Sequence, residues 1–236
     1  MKPSIIFLKL CLPIFVLAFE AGFHKEYYKL STDEKRKVFI EKIDTLLDHS
    51  FEKVAQEQAF IKNFFETHAK AGFRNISKTE LQTLIALKEK YRVKNLFDFK
   101  EYQKRIGVVP KSMGIAQALV ESGTGTSRFA REANNLFGEW TWGEKGLVPK
   151  HRKRGKTHKI KIFDSLQESV DSYLLNLNRH FAYEEFRTKR FKTLQEGREF
   201  KGLEAIKTLH NYSEIKGEYE KILKNVIEKY KLYLLD

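Results

Sequence analysis

Apolar residues recur at helical spacing along most of the chain, and two short polar motifs mark where the first helices begin. Ser31-Thr32-Asp33-Glu34 is a capping box, in which the serine hydroxyl accepts from a free backbone amide and the glutamate reaches back. The amphipathic stretch after it is long and charged on its other face, so we expect it to break into two helices near His49-Ser50. A second capping box, Ser77-Lys78-Thr79-Glu80, predicts another helix that ends near Tyr91. A short helical piece follows, with Phe97, Phe99 and Tyr102.

The next helix is predicted to begin after Pro110 and to end at Gly123. Proline suits the start of a helix because its missing amide has no partner there, and glycine suits the left-handed position that follows a helix. A shorter helix is predicted over residues 127–132. Residues 134–138 favour a turn, and helical periodicity is weak over residues 140–163.

Two short strands and three more helices complete the pattern. Leu147–Pro149 and Ile160–Phe163 are typical of a β-hairpin around a basic tip. Asp164-Ser165-Leu166-Gln167 caps a strong helix. Its predicted buried stripe contains Leu166, Val170, Tyr173, Leu174, Leu177 and Phe181. A shorter helix carries Leu203, Ile206 and Leu209, and the last begins near Tyr219. The sequence therefore predicts a mostly α-helical protein with one small β insertion.

The first residues have the layout of a secretory signal. Lys2 is followed by an apolar run from Leu10 to Phe19, which is too short to span a membrane stably. We predict a signal peptide over residues 1–18, ending at Ala18, with export to the periplasm or cell envelope and no stable membrane span after cleavage. An uncleaved anchor or a buried N-terminal helix is the alternative. The one cysteine, Cys11, lies inside this run, which excludes intrachain disulfides and a Cys-rich zinc site.

The composition describes a folded and strongly basic chain. Of its 236 residues, 42% are hydrophobic, which is enough for a core and excludes wholesale disorder. The 44 Lys and Arg residues exceed the 31 Asp and Glu residues, giving a formal net charge of +13. The natural partners are therefore anionic: nucleic acid, a membrane surface or an acidic polymer.

Glu121 is the strongest candidate for chemistry. It lies in the last turn of the helix after Pro110, where the negative end of the helix dipole disfavours ionisation of a carboxylate. Burial by the following loops would raise its pKa further, because the charged form loses water. A carboxylic acid held protonated near neutral pH is what glycosidic bond cleavage needs as a general acid. Gln117, one turn earlier on the same face, is a candidate to bind substrate. An ordinary exposed Glu near a helix end is the alternative.

Three aromatic residues beside the presumed cleft fit a sugar site. Phe137, Trp140 and Trp142 follow a pair of asparagines. Pyranose rings present apolar C–H faces, which aromatic side chains can bury. We predict that these rings bind sugar and that Asn135 hydrogen-bonds an N-acetyl group. Core positions are the alternative for Phe137 and for one of the tryptophans.

Several motifs in order resemble one known family. They are Gln117–Gly123, Gly125–Ala130, Asn134–Gly138, Phe163-Asp164-Ser165, Glu168-Ser169-Val170 with Tyr173, and the pair Tyr212 and Tyr219. Together they resemble the Bax-type glucosaminidases of glycoside hydrolase family 73, in the lysozyme superfamily. The resemblance implies a two-lobed, lysozyme-like glucosaminidase domain with a small β-hairpin lobe over residues 107–236, after an N-terminal helical extension over residues 19–106. It also implies hydrolysis of β-1,4 bonds after N-acetylglucosamine in peptidoglycan glycan strands, with Glu121 as general acid and Tyr212 lining the cleft.

Two positions depart from the family pattern. Thr124 stands where the family usually has a tryptophan after Glu-Ser-Gly, so local packing or a sugar contact differs there. Residues 156–161 contain no acid, although many relatives place a second carboxylate in this part of the hairpin. Glu139 and Glu144 are the possible replacements, and use of the substrate acetamido group is the alternative.

Other function classes are weaker. The chain has no metal-binding histidine spacing, Walker loop or dinucleotide fingerprint, so we predict no metal and no cofactor. The basic run over residues 150–161 favours contact with anionic wall polymers. A solvated hairpin or a nucleic-acid surface is the alternative, and we predict no nucleic-acid partner. A lytic transglycosylase and a non-catalytic peptidoglycan-binding protein are the alternatives to an endo-β-N-acetylglucosaminidase. The sequence does not fix the oligomeric state.

Overall fold

A computed structural model describes residues 22–149, 155, 157–209, 212 and 216–236. The helices are α1 (Thr32–His68), α2 (Lys78–Tyr91), α3 (Phe99–Arg105), α4 (Lys111–Ser122), α5 (Arg128–Ala133), α6 (Leu166–Arg179), α7 (Glu184–Gln195), α8 (Gly202–Ala205) and α9 (Lys216–Lys229). The strands are β1 (Trp140–Thr141) and β2 (Lys159–Ile160), and 3₁₀ turns cover Lys25–Lys29, Phe181–Tyr183, Ile206–Thr208 and Leu232–Leu235. The prediction of a mostly helical protein with one small sheet is confirmed. The predicted signal peptide and residues 150–154 and 156 of the basic run lie outside the described residues.

Helix α4 lies at the centre of the molecule. Every residue from Ser112 to Leu119 is buried, because the helix packs against α1 on one side and against α9 and the turn at Leu232–Leu235 on others. Gly114 makes the contact with α1 close: a Cβ on this residue would lie 3.2 Å from Cδ1 of Leu47. The helix ends as predicted, with Gly123 in the left-handed conformation at φ 56°.

Helix α1 begins at the predicted capping box, but the break expected near His49-Ser50 is wrong. The helix runs without interruption for 37 residues. Ser50 is buried, and its hydroxyl donates to Asp171 of α6 at 2.6 Å, so its polar group has a partner inside the helix-to-helix contact. A serine costs an α-helix only a few tenths of a kcal/mol in propensity (~0.5), which packing against α4 and α6 readily offsets. Within the described part of the chain, no helix has both the length and the apolar character that crossing a bilayer requires.

The hairpin differs from the prediction in both strands, since β2 is Lys159–Ile160 and not Ile160–Phe163. Strand β1 is Trp140–Thr141, and it pairs antiparallel with β2, Trp140 opposite Ile160. Leu147, predicted to begin the first strand, instead forms a single bridge to Ile160 on the other edge of β2, with both backbone bonds at 2.8 Å. The sequence pattern located the right residues near each other but could not show that β2 lies between two partners.

Two features between α6 and α8 also differ from the prediction. Phe181, expected at the end of the buried stripe of α6, is 80% exposed on the following 3₁₀ turn. Helix α7 was not predicted, because arginines interrupt its apolar pattern. Both arginines are buried: Arg187 donates to the carbonyl of Leu177, and Arg190 donates to that of Val108. Arg187 also pairs with the Glu184 carboxylate at 2.6 Å, and Arg190 donates to further backbone carbonyls, so both charged groups have partners that allow them to occupy the core.

The buried residues on both sides of position 106 belong to one hydrophobic cluster, from Tyr27 and Phe39 through α4 to Leu232. The boundary between an extension over residues 19–106 and a domain over residues 107–236 stays a prediction. The two segments share a core.

Candidate active site

Glu121 lies in the last turn of α4, immediately before a tightly closed loop. Buried Ser122 shapes this loop: its hydroxyl donates to the carbonyl of Ala118 at 2.6 Å and accepts from the amide of Gly125 at 2.8 Å. The N-terminal segment holds the loop from outside, since the Tyr27 hydroxyl donates to the Thr124 carbonyl at 2.7 Å. The turn that follows Glu121 is therefore fixed on both sides.

The Glu121 carboxyl group is half-buried, and burial raises its pKa above the ordinary value of a glutamate. The Tyr219 hydroxyl donates to Oε1 at 2.7 Å, and this bond lowers the pKa of Glu121 and so opposes the larger effect of burial. The result is an acid that holds its proton at a higher pH than an exposed glutamate would.

Behind Glu121, hydrogen bonds run in one direction through the core. The Tyr173 hydroxyl donates to Oε1 of Gln117 at 2.7 Å, and the Gln117 amide donates to the Tyr219 hydroxyl at 3.2 Å. Tyr219 then donates to Glu121. Each hydroxyl donates one bond and points toward Glu121 along this series. The buried residues Tyr173 and Gln117 therefore orient the Tyr219 hydroxyl, which in turn orients the carboxyl group.

Two more tyrosines continue from this group. The ring of Tyr212, half-buried, stacks on that of Tyr219 with centroids 5.5 Å apart and a 7° angle between planes. Tyr183 lies 6.0 Å from Tyr212, centroid to centroid. Burial, with smaller contributions from the charges of Glu121 and Glu139, raises the pKa of Tyr183 to about 12. Both carboxylates therefore act electrostatically on one tyrosine.

The loop before the hairpin approaches Glu121 from another side. Gly138 has a φ of 68°, and a Cβ on it would lie 4.0 Å from Oε2 of Glu121. Trp140 and Trp142 follow; they are 49% and 72% exposed. Trp140 stacks on His158 of the hairpin, with centroids 4.2 Å apart, and its ring lies 6.4 Å from that of Trp142, so the two tryptophans form one exposed aromatic surface.

Three predicted substrate-binding residues are instead buried. Gln117 is fully buried under Glu121, within the hydrogen bonds described above. Asn135 is 1% exposed, and its amide donates to the carbonyls of Glu139 and Lys161, so it shapes the loop. Phe137 stacks on Tyr173 with centroids 3.9 Å apart, in the core position that was its alternative. The structure gives these three side chains protein partners, and their direct contact with a sugar stays a prediction.

The two candidate second carboxylates lie in different surroundings. Glu139 is partly buried, and both of its oxygens are held, Oε1 by the Lys161 ammonium at 2.8 Å and Oε2 by the Ser172 hydroxyl at 2.7 Å. Glu144 is exposed, and its backbone carbonyl accepts from Lys159 at 2.5 Å. Of the two, Glu139 alone has a side chain that the described residues fix in this way. No three His, Cys, Asp or Glu side chains in the described part of the chain converge as metal ligands would.

A family model described as "Glucosaminidase: Mannosyl-glycoprotein endo-beta-N-acetylglucosaminidase" matches residues 97–232, which is more than half of the chain. The chain belongs to the glucosaminidase family. This glucosaminidase is also 38% identical over 111 residues to Protein bax of Escherichia coli K12, a match that covers 47% of the present chain and 39% of that protein. The match thus spans about two fifths of the length of this relative. The resemblance to Bax-type glucosaminidases seen in the sequence is confirmed.

Among solved structures, the glucosaminidase is similar to the catalytic domain of the autolysin Auto from Listeria monocytogenes. The two are 18% identical with a TM-score of 0.48, and the match covers 92% of this chain and 100% of that one.

Sequence reasoning missed the roles of two tyrosines at the candidate site. Tyr219 was noted as a family match, but its bond to Glu121 could not be seen, because the two residues are 98 positions apart. Tyr183 lies on a 3₁₀ turn between α6 and α7 and carries no periodic signal. Only the fold brings it near the two carboxylates.

Proposed function

We propose that this glucosaminidase is an endo-β-N-acetylglucosaminidase that hydrolyses the β-1,4 bonds after N-acetylglucosamine in peptidoglycan, with Glu121 as general acid. The observation that carries the proposal is the half-buried carboxyl group of Glu121, whose pKa is raised by burial and whose Oε1 is held by Tyr219. Family membership supports the glycosidase activity, and the Bax-type resemblance supports the peptidoglycan substrate.

The proposed acid step uses the two oxygens of Glu121 differently. Oε1 accepts the bond from Tyr219, so the proton is carried on Oε2, the oxygen on the side of Gly138 and the hairpin loop. In the reaction that proton passes to the glycosidic oxygen as the bond to the anomeric carbon breaks. The carboxylate left on Glu121 is then stabilised by the same Tyr219 hydroxyl, because a hydrogen bond to an ionised acceptor is stronger than one to a neutral acceptor.

We assign the second carboxylate to Glu139. Lys161 and Ser172 each hold one of its two oxygens, so the carboxylate has a fixed orientation. A second carboxylate needs a fixed orientation because it must position a water molecule or the substrate acetamido group. Its charge and that of Glu121 both act on Tyr183, which supports their placement around one site. Among the residues that the structure describes, none supports the side chain of Glu144 in this way.

The aromatic surface of Trp140 and Trp142 is proposed to bind the sugar rings of the strand by stacking on their C–H faces. The net charge of +13 favours attraction to an anionic wall polymer. Because peptidoglycan lies outside the inner membrane, the proposed function also requires export, for which the segment over residues 1–18 is the predicted signal.

Digestion of purified peptidoglycan tests the proposal directly. Mass spectrometry of the released fragments should show one water added for each bond cleaved, with N-acetylglucosamine at the new reducing ends. Glu121→Gln, which keeps the shape of the side chain but cannot donate the proton, should lower kcat by about 10²–10⁴-fold. Fragments with anhydro ends would instead indicate a lytic transglycosylase. No release from any wall preparation, with wall binding retained, would contradict catalysis altogether.

A matched pair of variants tests the second carboxylate. Glu139→Gln should lower kcat strongly, since the amide cannot act as a base. Glu144→Gln should have a much smaller effect, and the reverse order would refute the assignment. Substrate-assisted cleavage would show as a dependence on the 2-acetamido group of the sugar.

A further inference from the structure

A cavity of about 360 Å³ lies between α1, α2, α6 and residues 161–163. Lys161 and Ser172, which hold the two oxygens of Glu139, also line this cavity. The cavity is therefore only one side chain away from the carboxylate that we assign to the reaction. It is of a size that small ligands commonly occupy in proteins.

Asn178 of α6 lines the cavity and carries a polar atom that has no protein partner. The residue is 1% exposed, and its Nδ2 donates to the carbonyl of Gly107 at 2.7 Å. Its Oδ1 is also buried, yet it accepts no hydrogen bond from any residue that the structure describes. Because Gly107 lies outside the cavity, Nδ2 points away from it and Oδ1 is the amide atom on the cavity side. Buried polar atoms nearly always have a partner, so Oδ1 indicates a ligand that donates a hydrogen bond.

The charges around the cavity favour a donor that is also a cation. Three lysines line the cavity, and each forms an ion pair with a carboxylate: Lys53 with Asp171, Lys90 with Glu57, and Lys161 with Glu139. A fourth carboxylate, that of Glu168, also lines the cavity, and no described lysine or arginine pairs with it. Three ammonium groups are therefore outnumbered by four carboxylates, and the surplus negative charge attracts a cation.

The walls of the cavity are aliphatic where α1 and α6 face each other. Val54, Leu174 and Leu175 supply them. A hydrocarbon chain can pack against such walls while a charged group at its end reaches a polar partner, as lysine side chains do on protein surfaces. The cavity thus combines an acceptor, a negative surplus and an apolar wall.

We propose that this cavity binds the aliphatic ammonium side chain of a diamino acid in the peptide stem of peptidoglycan. The ammonium group donates to Oδ1 of Asn178, and the aliphatic chain packs on the walls. This inference rests on the proposed function, because the stems are attached to the glycan strand that the enzyme cleaves. Its consequence is a preference for strands that carry their peptides over strands from which the peptides have been removed.

Calorimetry on the full chain with two synthetic stem tetrapeptides tests the site. One tetrapeptide has lysine as its third residue, and the other has norleucine there, which keeps the aliphatic chain but lacks the ammonium group. The lysine peptide should bind about tenfold more tightly, because only its ammonium group gives Oδ1 a donor. Equal affinities for the two peptides would overturn the proposal. Free lysine that binds as tightly as the lysine peptide would overturn the assignment to the stem.

A matched pair of variants tests where the ammonium group binds. Ile162 lines the cavity and is 47% exposed, so Ile162→Lys adds a positive charge there without burying it. Affinity for the lysine peptide should fall about three- to tenfold through repulsion of like charges, with little change for the norleucine peptide. Ile85→Lys is the control, since Ile85 is 39% exposed on α2 and lies outside the cavity. Equal effects of the two substitutions would contradict the site.

Asn178→Leu tests the acceptor itself. It removes Oδ1, so the preference for the lysine peptide over the norleucine peptide should disappear. The substitution also removes the bond to the Gly107 carbonyl, so thermal unfolding must first show that the variant is folded. If it is not folded, the two isoleucine variants decide the question, because both substitutions are on exposed positions. A folded Asn178→Leu protein that keeps the preference would overturn the proposal.

The outcomes for peptide binding and for cleavage are separable. Cleavage of peptide-bearing and peptide-free strands with equal kcat/KM, together with no preference for the lysine peptide, would overturn the cavity site and leave the hydrolase standing. Binding that depends on the ammonium group, together with no cleavage of any wall preparation, would overturn the hydrolase and leave the cavity site standing.

Discussion

Replacing Gln117 with leucine tests whether the buried hydrogen bonds behind Glu121 are as important as their geometry indicates. Leucine is slightly larger than glutamine, so no cavity results. The Tyr173 hydroxyl, buried in the core, loses its acceptor, which costs about 1–3 kcal/mol. Tyr219 keeps its bond to Glu121 but loses the amide that donated to it, a further ~1 kcal/mol. The free energy of unfolding should therefore fall by about 2–4 kcal/mol.

Urea unfolding followed by circular dichroism measures this loss as a lower midpoint. Adding Tyr173→Phe to the Gln117→Leu protein removes the orphaned hydroxyl and keeps the ring that stacks on Phe137. The double variant should therefore recover about 1–3 kcal/mol relative to Gln117→Leu alone. Tyr173→Phe by itself should destabilise, because it leaves the Gln117 carbonyl without a donor. A double variant no more stable than the single Gln117→Leu protein would refute the reasoning.

Three further predictions concern the immediate surroundings of the acid. Tyr219→Phe removes the hydrogen bond that lowers the pKa of Glu121, so that pKa should rise. The alkaline limb of the pH profile of kcat/KM should therefore move to higher pH. An unmoved profile would show that Glu121 is not the group that must be protonated. Tyr27→Phe removes the donor to the Thr124 carbonyl and should lower the free energy of unfolding by about 1 kcal/mol, measured in urea, whereas an unchanged midpoint would mean that this contact is not needed. Gly138→Ala places a Cβ near Oε2 of Glu121 at a positive φ, so kcat should fall by more than the modest loss of stability explains; a kcat equal to that of the unmutated enzyme would contradict the assigned direction of the proton.

Burial of Glu121 also makes stability depend on pH. Its pKa is raised in the folded state, so the folded protein binds that proton more tightly than the unfolded chain does. The resulting contribution to stability is present below the ordinary glutamate pKa and is lost as the pH rises through the higher folded value. Glu121→Gln should remove this part of the dependence.

Short sequence motifs correctly predicted those helix ends that depend on neighbouring residues alone. The capping boxes at Ser31 and Ser77 and the left-handed Gly123 are confirmed, because each depends on residues three or four positions apart. The position of Glu121 at the end of α4 follows from the same kind of signal. Its bond to Tyr219 does not, because two helices far apart in sequence must first pack together.

Tertiary contacts decided the features that were predicted wrongly. Helix α1 continues through Ser50 because Asp171 of another helix satisfies the serine hydroxyl. Helix α7 was hidden because Arg187 and Arg190 occupy its buried face, with backbone carbonyls of other segments as partners. The structure also shows contacts of Asn135 that the sequence did not predict, since its amide donates to the carbonyls of Glu139 and Lys161.

The contact between α1 and α4 bears on how small an active fragment can be. The family match begins at residue 97, yet Leu47 of α1 lies against Gly114, and Lys111 of α4 pairs with Asp44 and Asp48 of α1 at 2.7 and 2.8 Å. A fragment cut back to the matched segment would leave an apolar flank of the acid-bearing helix in water. The shortest fragment that keeps Glu121 in position must therefore include α1 as well as the matched residues 97–232.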